Sequence, residues 1–82
     1  MILTISTNIT DQRFDMDIPG DVPISKVTID LAECLSVLTK TDVEAEKLAI
    51  ICNRKDTILN PYNTLKDEGV WQGDLITVIY MQ

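Results

Sequence analysis

The N-terminal part of the chain alternates between residues of opposite character. Leu3 and Ile5 fall on one side of an extended chain and Ile2 and Thr4 on the other, a period of two that is typical of a strand. A second run, at 13–18, alternates apolar with charged residues. The polar segment 8–12 between the two runs predicts a turn, so we expect a β-hairpin. The apolar positions of its second strand are Phe14, Met16 and Ile18.

A helix is predicted directly after this hairpin. Pro19 and Gly20 end the second strand, since proline lacks the N–H that a ladder needs. Pro23 suits the first turn of the helix, and Asp21 is placed to cap it or to favour its dipole. We expect the apolar side of this helix to pack on the chain's own sheet. Its apolar positions recur at spacings of three and four: Ile24, Val27, Leu31, Leu35 and Leu38.

The second half of the chain predicts three more strands. The continuous apolar run 48–52 indicates a strand with both faces at least partly covered, 57–59 a short edge strand, and the β-branched run 75–80 an inner strand. Short helical turns are predicted at 41–46 and 64–69, the second closed by Gly69 in a left-handed conformation. This order predicts an α+β fold with one main helix across a mixed sheet of four to five strands.

Length and charge restrict the kinds of partner. With 82 residues, we expect a single domain over 1–82. Seven Lys and Arg stand against thirteen Asp and Glu, a net charge of -6. Nucleic acids and anionic membranes would be repelled by such a surface, so we predict neither as a partner. A neutral or basic protein is the expected counterpart.

Little in the chain points to catalysis. Histidine is absent, which removes the commonest general base and metal ligand. Asp15 and Asp17 alternate along one strand face, which solvation explains without chemistry. Cys34 and Cys52 match neither a zinc nor a redox pattern. We expect free thiols in a reducing cytosol, and a disulfide between them is the alternative. We therefore predict a non-enzymatic protein with no catalytic residues, no cofactor and no metal site.

The N-terminus and the hydropathy predict a cytoplasmic location. The first residues have no basic lead, no long apolar run and no small-residue cleavage site, so no signal peptide is expected. No apolar stretch approaches the roughly 20 residues of a membrane span, and we expect no insertion into a membrane.

Two segments carry a resemblance to a known family. The block 63–76, with Thr64-Leu65-x-Asp67 before an aliphatic residue and a turn, resembles the late part of ubiquitin-fold proteins. The segments 23–27, 29–32 and Val70-x-x-Gly73-Asp74 are similar to the small YukD/EsaB proteins encoded with bacterial type VII secretion systems. The resemblance covers nearly the whole chain. It implies a ubiquitin-like β-grasp and a cytosolic accessory or regulatory protein that binds a secretion-system component.

The C-terminal residues differ from those of conjugated ubiquitin. Isopeptide attachment needs a flexible tail that ends in Gly-Gly, whereas here the last strand runs into Tyr80-Met81-Gln82. Covalent tagging is therefore not expected. The alternative is a modifier or sulfur carrier that is processed or conjugated at its C-terminus.

The candidate binding residues come from the pleat of the last strand. If one face packs on the helix, Leu75, Thr77 and Ile79 point to the opposite face, where Ile51 of the neighbouring strand joins them. Ubiquitin-like domains commonly bind partners there, so the resemblance implies a patch. Trp71 is the only tryptophan and a typical interface residue. Two alternatives stay open: these aliphatic residues are ordinary surface or are covered in a homodimer, and Trp71 folds back over the core. The predicted protein-binding residues are Ile51, Trp71, Leu75 and Ile79.

Overall fold

The fold combines five strands with one long helix. The structure is a computed structural model that describes residues 1–81, and Gln82, the last residue of the predicted C-terminal segment, lies outside that range. All the strands and the helix predicted from the sequence are present, with bounds within two residues of the predicted ones. In chain order they are β1 (Ile2–Thr7), β2 (Phe14–Asp17), α1 (Ile24–Thr39), a 3-10 turn (Ala45–Lys47), β3 (Leu48–Cys52), β4 (Thr57–Ile58) and β5 (Leu75–Tyr80).

The strands form one mixed sheet in the order β2-β1-β5-β3-β4. The first and last strands pair in parallel, with Ile5 opposite Ile76, while the other neighbours are antiparallel. A parallel pair needs a long crossover, and α1 lies within the chain that connects β1 to β5. The prediction of an α+β fold with an inner last strand is therefore confirmed.

The core lies between α1 and one face of the sheet, which we call the inner face. Alternate residues of β1 and β5 reach it, and Leu3, Ile5, Ile76 and Val78 are all buried. The period of two in these strands thus decides which side chains join the core and which point away from it. The helix contributes Ile24, Val27, Leu31, Ala32 and Leu35.

The last turn of α1 departs from the predicted apolar stripe. Leu38 is 55% exposed, although its spacing places it on the same side of the helix as Leu35. Helical spacing specifies a direction around the axis, and it does not specify how far the core extends along the helix. Thr28, which the stripe omitted, is buried instead, and its hydroxyl donates to the Ile24 carbonyl at 2.8 Å.

The start of α1 is capped by backbone rather than by a side chain. The N-cap is Pro23 and makes no side-chain cap, so the predicted role of Asp21 as a cap is wrong. The N–H groups of Ile24 and Ser25 instead donate to the carbonyls of Asn63 and Pro61, at 2.8 and 2.9 Å. A neighbouring loop therefore satisfies the donors that a helix leaves open at its start.

The turn before β5 follows its prediction closely. The Asp67 N–H donates to Thr64 Oγ1 at 3.0 Å, and the Thr64 N–H donates to Asp67 Oδ2 at 3.4 Å, a reciprocal capping pair. Gly69 ends this turn with a φ of 73°, in the left-handed region that glycine adopts without strain. The other predicted turn, at 41–46, forms slightly later in the chain, as the 3-10 turn at Ala45–Lys47.

Two leucines of α1 provide a matched test of this packing. Leu35 is 0% exposed, so Leu35→Ala should lower the free energy of unfolding by about 2–4 kcal/mol through lost burial and the cavity that remains. Leu38→Ala removes the same atoms from a mostly exposed site and should cost less than about 1 kcal/mol. Urea unfolding followed by circular dichroism measures both. Equal losses in the two variants would contradict the position of the core.

Candidate functional site

The face of the sheet opposite α1, which we call the outer face, carries a row of aliphatic side chains. Along β5 the pleat buries alternate residues, and it places Leu75, Thr77 and Ile79 on the outer face, where they are partly exposed. Ile51 of β3 lies directly opposite Thr77, and Ile79 lies opposite Ala49. Ile51 and Ile79 are therefore diagonal neighbours, about 7–8 Å apart.

Two further isoleucines extend this surface. Ile58 of the edge strand β4 lies opposite Ile51 and is exposed. Ile2 of β1 is also exposed, and it is two residues before Thr4, which lies opposite Leu75. The result is a mainly aliphatic surface across four adjacent strands, in which Thr77 lies between Leu75 and Ile79. We call it the outer patch, and it consists of Ile2, Ile51, Ile58, Leu75 and Ile79.

The sequence prediction missed two members of the outer patch. Ile2 follows from the same alternation that buries Leu3, but its contact with β5 depends on the parallel pairing of β1 and β5. Ile58 belongs to the patch only because β4 pairs with β3 in a register that places it beside Ile51. The alternation of a strand predicts which residues share a face, but it does not predict which residues of a neighbouring strand lie beside them, so neither residue was assigned.

Trp71 lies in the turn that leads into β5 and points into solvent. Its side chain is 63% exposed and does not belong to the core, so the alternative in which it folds back over the core is not what the structure shows. The guanidinium of Arg54 covers one face of the ring, with Cζ 3.7 Å from the ring centroid. This stacking is a cation–π contact, and it restricts the orientation of the ring.

A nearly buried carboxylate holds this pair in place. Asp74 is 9% exposed, and its two oxygens accept bonds from Arg54 Nε and Nη2, both at 3.0 Å. Asp74 Oδ2 also accepts the Trp71 N–H at 2.8 Å. Arg54 Nη2 donates further to the Gly69 carbonyl at 2.6 Å. One carboxylate thus fixes both the backbone of Trp71 and the cation that lies over its ring.

The electrostatics of this cluster follow from the same contacts. The hydrogen bonds from Arg54 lower the pKa of Asp74 below its usual value, against the opposing effect of burial, and the Trp71 N–H lowers it further. In return, the hydrogen bond to Asp74 raises the pKa of Arg54. The Cys52 thiol lies 3.8 Å from Asp74 Oδ2, and both cysteines are free, as predicted.

Arg54 and Asp74 were not singled out by the sequence prediction. Asp74 was named only as part of the segment that resembles the family, and no local spacing links it to Arg54, which is 20 residues away. The signal that exists is an arginine two residues after one buried strand and an aspartate directly before another. That signal is too common to identify an ion pair.

Other surface features offer less chemistry. A shallow groove beside α1 is lined in part by Ile29, Leu48 and Pro61. In residues 1–81, no three cysteine or acidic side chains are grouped so that they could hold a metal ion. No helix in that range has the length and apolar character needed to cross a membrane.

Comparison with protein families decides the family of the chain. A family model described as "WXG100 protein secretion system (Wss), protein YukD" matches residues 2–78. The chain belongs to the YukD family. It is therefore a ubiquitin-like protein linked to a secretion system, which confirms the family predicted from the resemblance. No match is found among curated protein sequences.

Solved structures similar to this YukD-family chain are ubiquitin-like domains. The N-terminal ubiquitin-like domain of the 4931431F19Rik protein has a TM-score of 0.82 at 13% identity, over 100% of this chain and 75% of that chain. Ubiquitin from Caldiarchaeum subterraneum has a TM-score of 0.74 at 16% identity, over 100% and 94%. The ubiquitin-like domain of Plasmodium falciparum Dsk2 also has a TM-score of 0.74, at 20% identity, over 98% and 99%. At these identities the likeness concerns the fold, and it confirms the predicted β-grasp.

The Asp74 carboxylate predicts a pH dependence of stability. Asp74→Asn should lower the free energy of unfolding by about 1–3 kcal/mol at pH 7, since it removes a charged partner from a nearly buried site. Because Arg54 lowers the pKa of Asp74 in the folded protein, this stabilisation is complete above the unfolded value of about 3.9 and is lost as the pH falls through the lower, folded-state pKa. Urea unfolding followed by Trp71 fluorescence, at pH 7 and at steps down to about pH 2, measures the difference.

The matched control is Asp30→Asn on the exposed side of α1. It should change the stability at pH 7 by less than about 0.5 kcal/mol. If the gap between the unsubstituted protein and the Asp74→Asn variant stays constant down to pH 2, the assigned effect of Arg54 on Asp74 is wrong.

Proposed function

We propose that this YukD-family protein is a non-enzymatic, cytoplasmic accessory protein that binds a protein component of its secretion system without covalent attachment. The outer patch and Trp71 form the proposed binding surface. The single observation that carries the proposal is the mainly aliphatic, partly exposed surface across β1, β5, β3 and β4 on the face opposite α1. The link to secretion comes from the family.

The composition of this surface supports binding to a protein. Isolated aliphatic residues are ordinary on protein surfaces, whereas aliphatic residues that adjoin across four strands form a contiguous patch. Covering such a patch gains about 25 cal/mol for each Å² of apolar area removed from water. Because the side chains project from a hydrogen-bonded sheet, little conformational entropy is lost when a partner covers them.

Trp71 supports the same proposal through its restricted orientation. Tryptophan is enriched among the residues that dominate binding energies. Here Arg54 covers one face of the ring while the side chain remains largely exposed. The hydrogen bond from the Trp71 N–H to Asp74 fixes the backbone below it. An aromatic group that is both exposed and held in place suits a binding role, since its ordering is complete before a partner arrives.

The use of the buried polar groups supports a non-enzymatic role. Within the described part of the chain, the buried polar or charged residues are Thr28 and Asp74. Thr28 donates to the helix backbone, and Asp74 is occupied by Arg54 and by the Trp71 N–H. Their contacts account for them as structural groups.

The attachment of β5 to its surroundings supports binding without conjugation. The Tyr80 N–H donates to Asn8 Oδ1 at 2.8 Å, and the Tyr80 carbonyl accepts from Asn8 Nδ2 at 3.1 Å. The Met81 N–H donates to the Lys47 carbonyl at 2.8 Å. The backbone of Tyr80 and Met81 is therefore held in place, so these two residues do not form the flexible tail that conjugation needs.

Charged substitutions in the outer patch test the proposed surface. Ile51→Asp and Ile79→Asp should each weaken binding to the cognate secretion-system component at least tenfold, because each places a carboxylate inside an apolar contact. The measurement is calorimetry or surface plasmon resonance with the purified soluble domains of the system's components. The matched control is Val37→Asp on α1, an apolar residue that is 78% exposed and lies outside the patch. Equal affinity of all three variants, with unchanged circular dichroism, would refute the surface.

The intact mass of the protein in cells tests the absence of conjugation. We expect the mass of the unmodified chain, because the proposed role needs no covalent bond. Mass spectrometry of the native protein makes the measurement, and a comparison with the protein expressed alone is the control. An adduct on the C-terminal carboxylate, or a mass that corresponds to processing to a new C-terminus, would support the modifier alternative.

A further inference from the structure

The charges of the sheet have one sign. The five strands contain no lysine and no arginine, whereas β2 contains Asp15 and Asp17. Asp15 lies opposite Thr4 and Asp17 opposite Ile2, so both carboxylates belong to the outer face. The outer patch is therefore bordered by acidic side chains at its β2 margin.

No basic residue of a strand neutralises the charge of Asp15 and Asp17. Arg54 binds Asp74, Lys47 pairs with Glu44 at 2.7 Å, and Lys26 lies on α1. Arg13 directly precedes β2 and follows the same alternation as Asp15 and Asp17, so it brings one positive charge to this margin, although it forms no ion pair with either carboxylate. Arg54 and Lys47 are thus each held by an acidic partner, and Lys26 lies on the helix that covers the inner face.

The contacts of Asp15 and Asp17 within the chain leave both carboxylates accessible to a partner. Asp15 Oδ1 accepts a hydrogen bond from the Thr4 hydroxyl at 2.9 Å. Asp17 Oδ1 lies 3.2 Å from the amino group of Met1, but the Asp17 side chain is mostly exposed. Asp15 therefore contributes a charge that no described cation pairs with, whereas Asp17 is paired with the Met1 amino group.

The register gives the distance between this charge and the apolar anchors. Asp15, Thr4 and Leu75 lie in one row across three neighbouring strands. With about 4.8 Å between strands, Asp15 is about 10 Å from Leu75 and about 15 Å from the strand that carries Ile51. An extended segment covers this span in about three to five residues, at about 3.3 Å for each residue.

We propose that the partner of the outer patch is a basic protein segment, in which an aliphatic anchor is followed or preceded by Lys or Arg at a distance of about three to five residues. The anchor contacts Leu75, Ile79 and Ile51, and the cation meets Asp15. This inference rests on the proposed function and adds the chemistry of the partner. The net charge of -6 attracts such a segment from a distance.

The same charges disfavour a second copy of the chain as the occupant. Two copies that meet through their outer patches would bring together two molecules of net charge -6. The acidic margins of both sheets would then lie at one interface, and no lysine or arginine of a strand would face them. The acidic charges attract a basic partner, whereas they repel a second copy of the chain.

A peptide-display selection on the full chain tests the partner chemistry. Random peptides are first selected for binding to the immobilised, unsubstituted protein. Those that no longer bind the Ile79→Asp variant are then kept, because their binding depends on the outer patch. We expect the retained peptides to share an aliphatic residue with Lys or Arg about three to five residues away. For a synthesised peptide of this group, Asp15→Asn with Asp17→Asn should weaken binding about three- to tenfold. Raising the salt from 50 to 500 mM should weaken binding to the unsubstituted protein more than to the variant.

A control variant and three contrary outcomes separate this inference from the proposed function. Asp30→Asn on α1 changes the net charge without touching the outer face and should leave the affinity within about twofold. Patch-binding peptides that are acidic or uncharged, or that bind the double variant equally well, would overturn the inference and leave the proposed function intact. Sedimentation that shows a dimer closed through the patch would overturn it in favour of a second copy. A selection that yields no patch-binding peptide would count against both proposals.

Discussion

A sheet has two faces, and this chain provides one long helix to cover them. Burial of the inner face against α1 uses every second residue of β1 and β5, including Ile5 and Val78. The pleat then sends the residues between them to the outer face. Because β5 lies between β1 and β3, the side chains that it places there adjoin those of both strands, and β3 in turn adjoins β4. The outer patch is thus a direct consequence of how the core forms.

A second constraint holds the end of the sheet where β3 finishes and β5 begins. Asp74 is nearly buried, and a carboxylate is stable there because Arg54 and the Trp71 N–H supply three donors. The Asp74 carbonyl also accepts the Thr4 N–H, which links this point to β1. One residue therefore connects the middle of the sheet to the exposed ring of Trp71. The stability of the fold and the geometry of the proposed surface depend on the same side chain.

The sequence predicts features that depend on local period and misses those that depend on register. Alternation in β1 and β5 was enough to place Leu75 and Ile79, and the capping pair before Gly69 was visible in four consecutive residues. The predicted burial of Leu38 was wrong because helical spacing does not give the extent of the core. The predicted cap by Asp21 was wrong because the carbonyls of a neighbouring loop bind the N–H groups at the start of α1. The role of Arg54 could not be predicted, because it depends on a contact between two turns that are far apart in the sequence. The fold was therefore largely predictable, while half of the candidate site required coordinates.

The central claim is that the outer patch is open to solvent while the inner face of the same strands is closed. Methyl NMR of the free protein, with a neutral paramagnetic probe in the solvent, measures this residue by residue. The account predicts strong broadening of the methyl signals of Ile51, Leu75 and Ile79, and little broadening for Ile76 and Val78, which alternate with them on β5. Equal protection of both sets in the monomer would contradict it, since the outer face would then be covered by the chain itself.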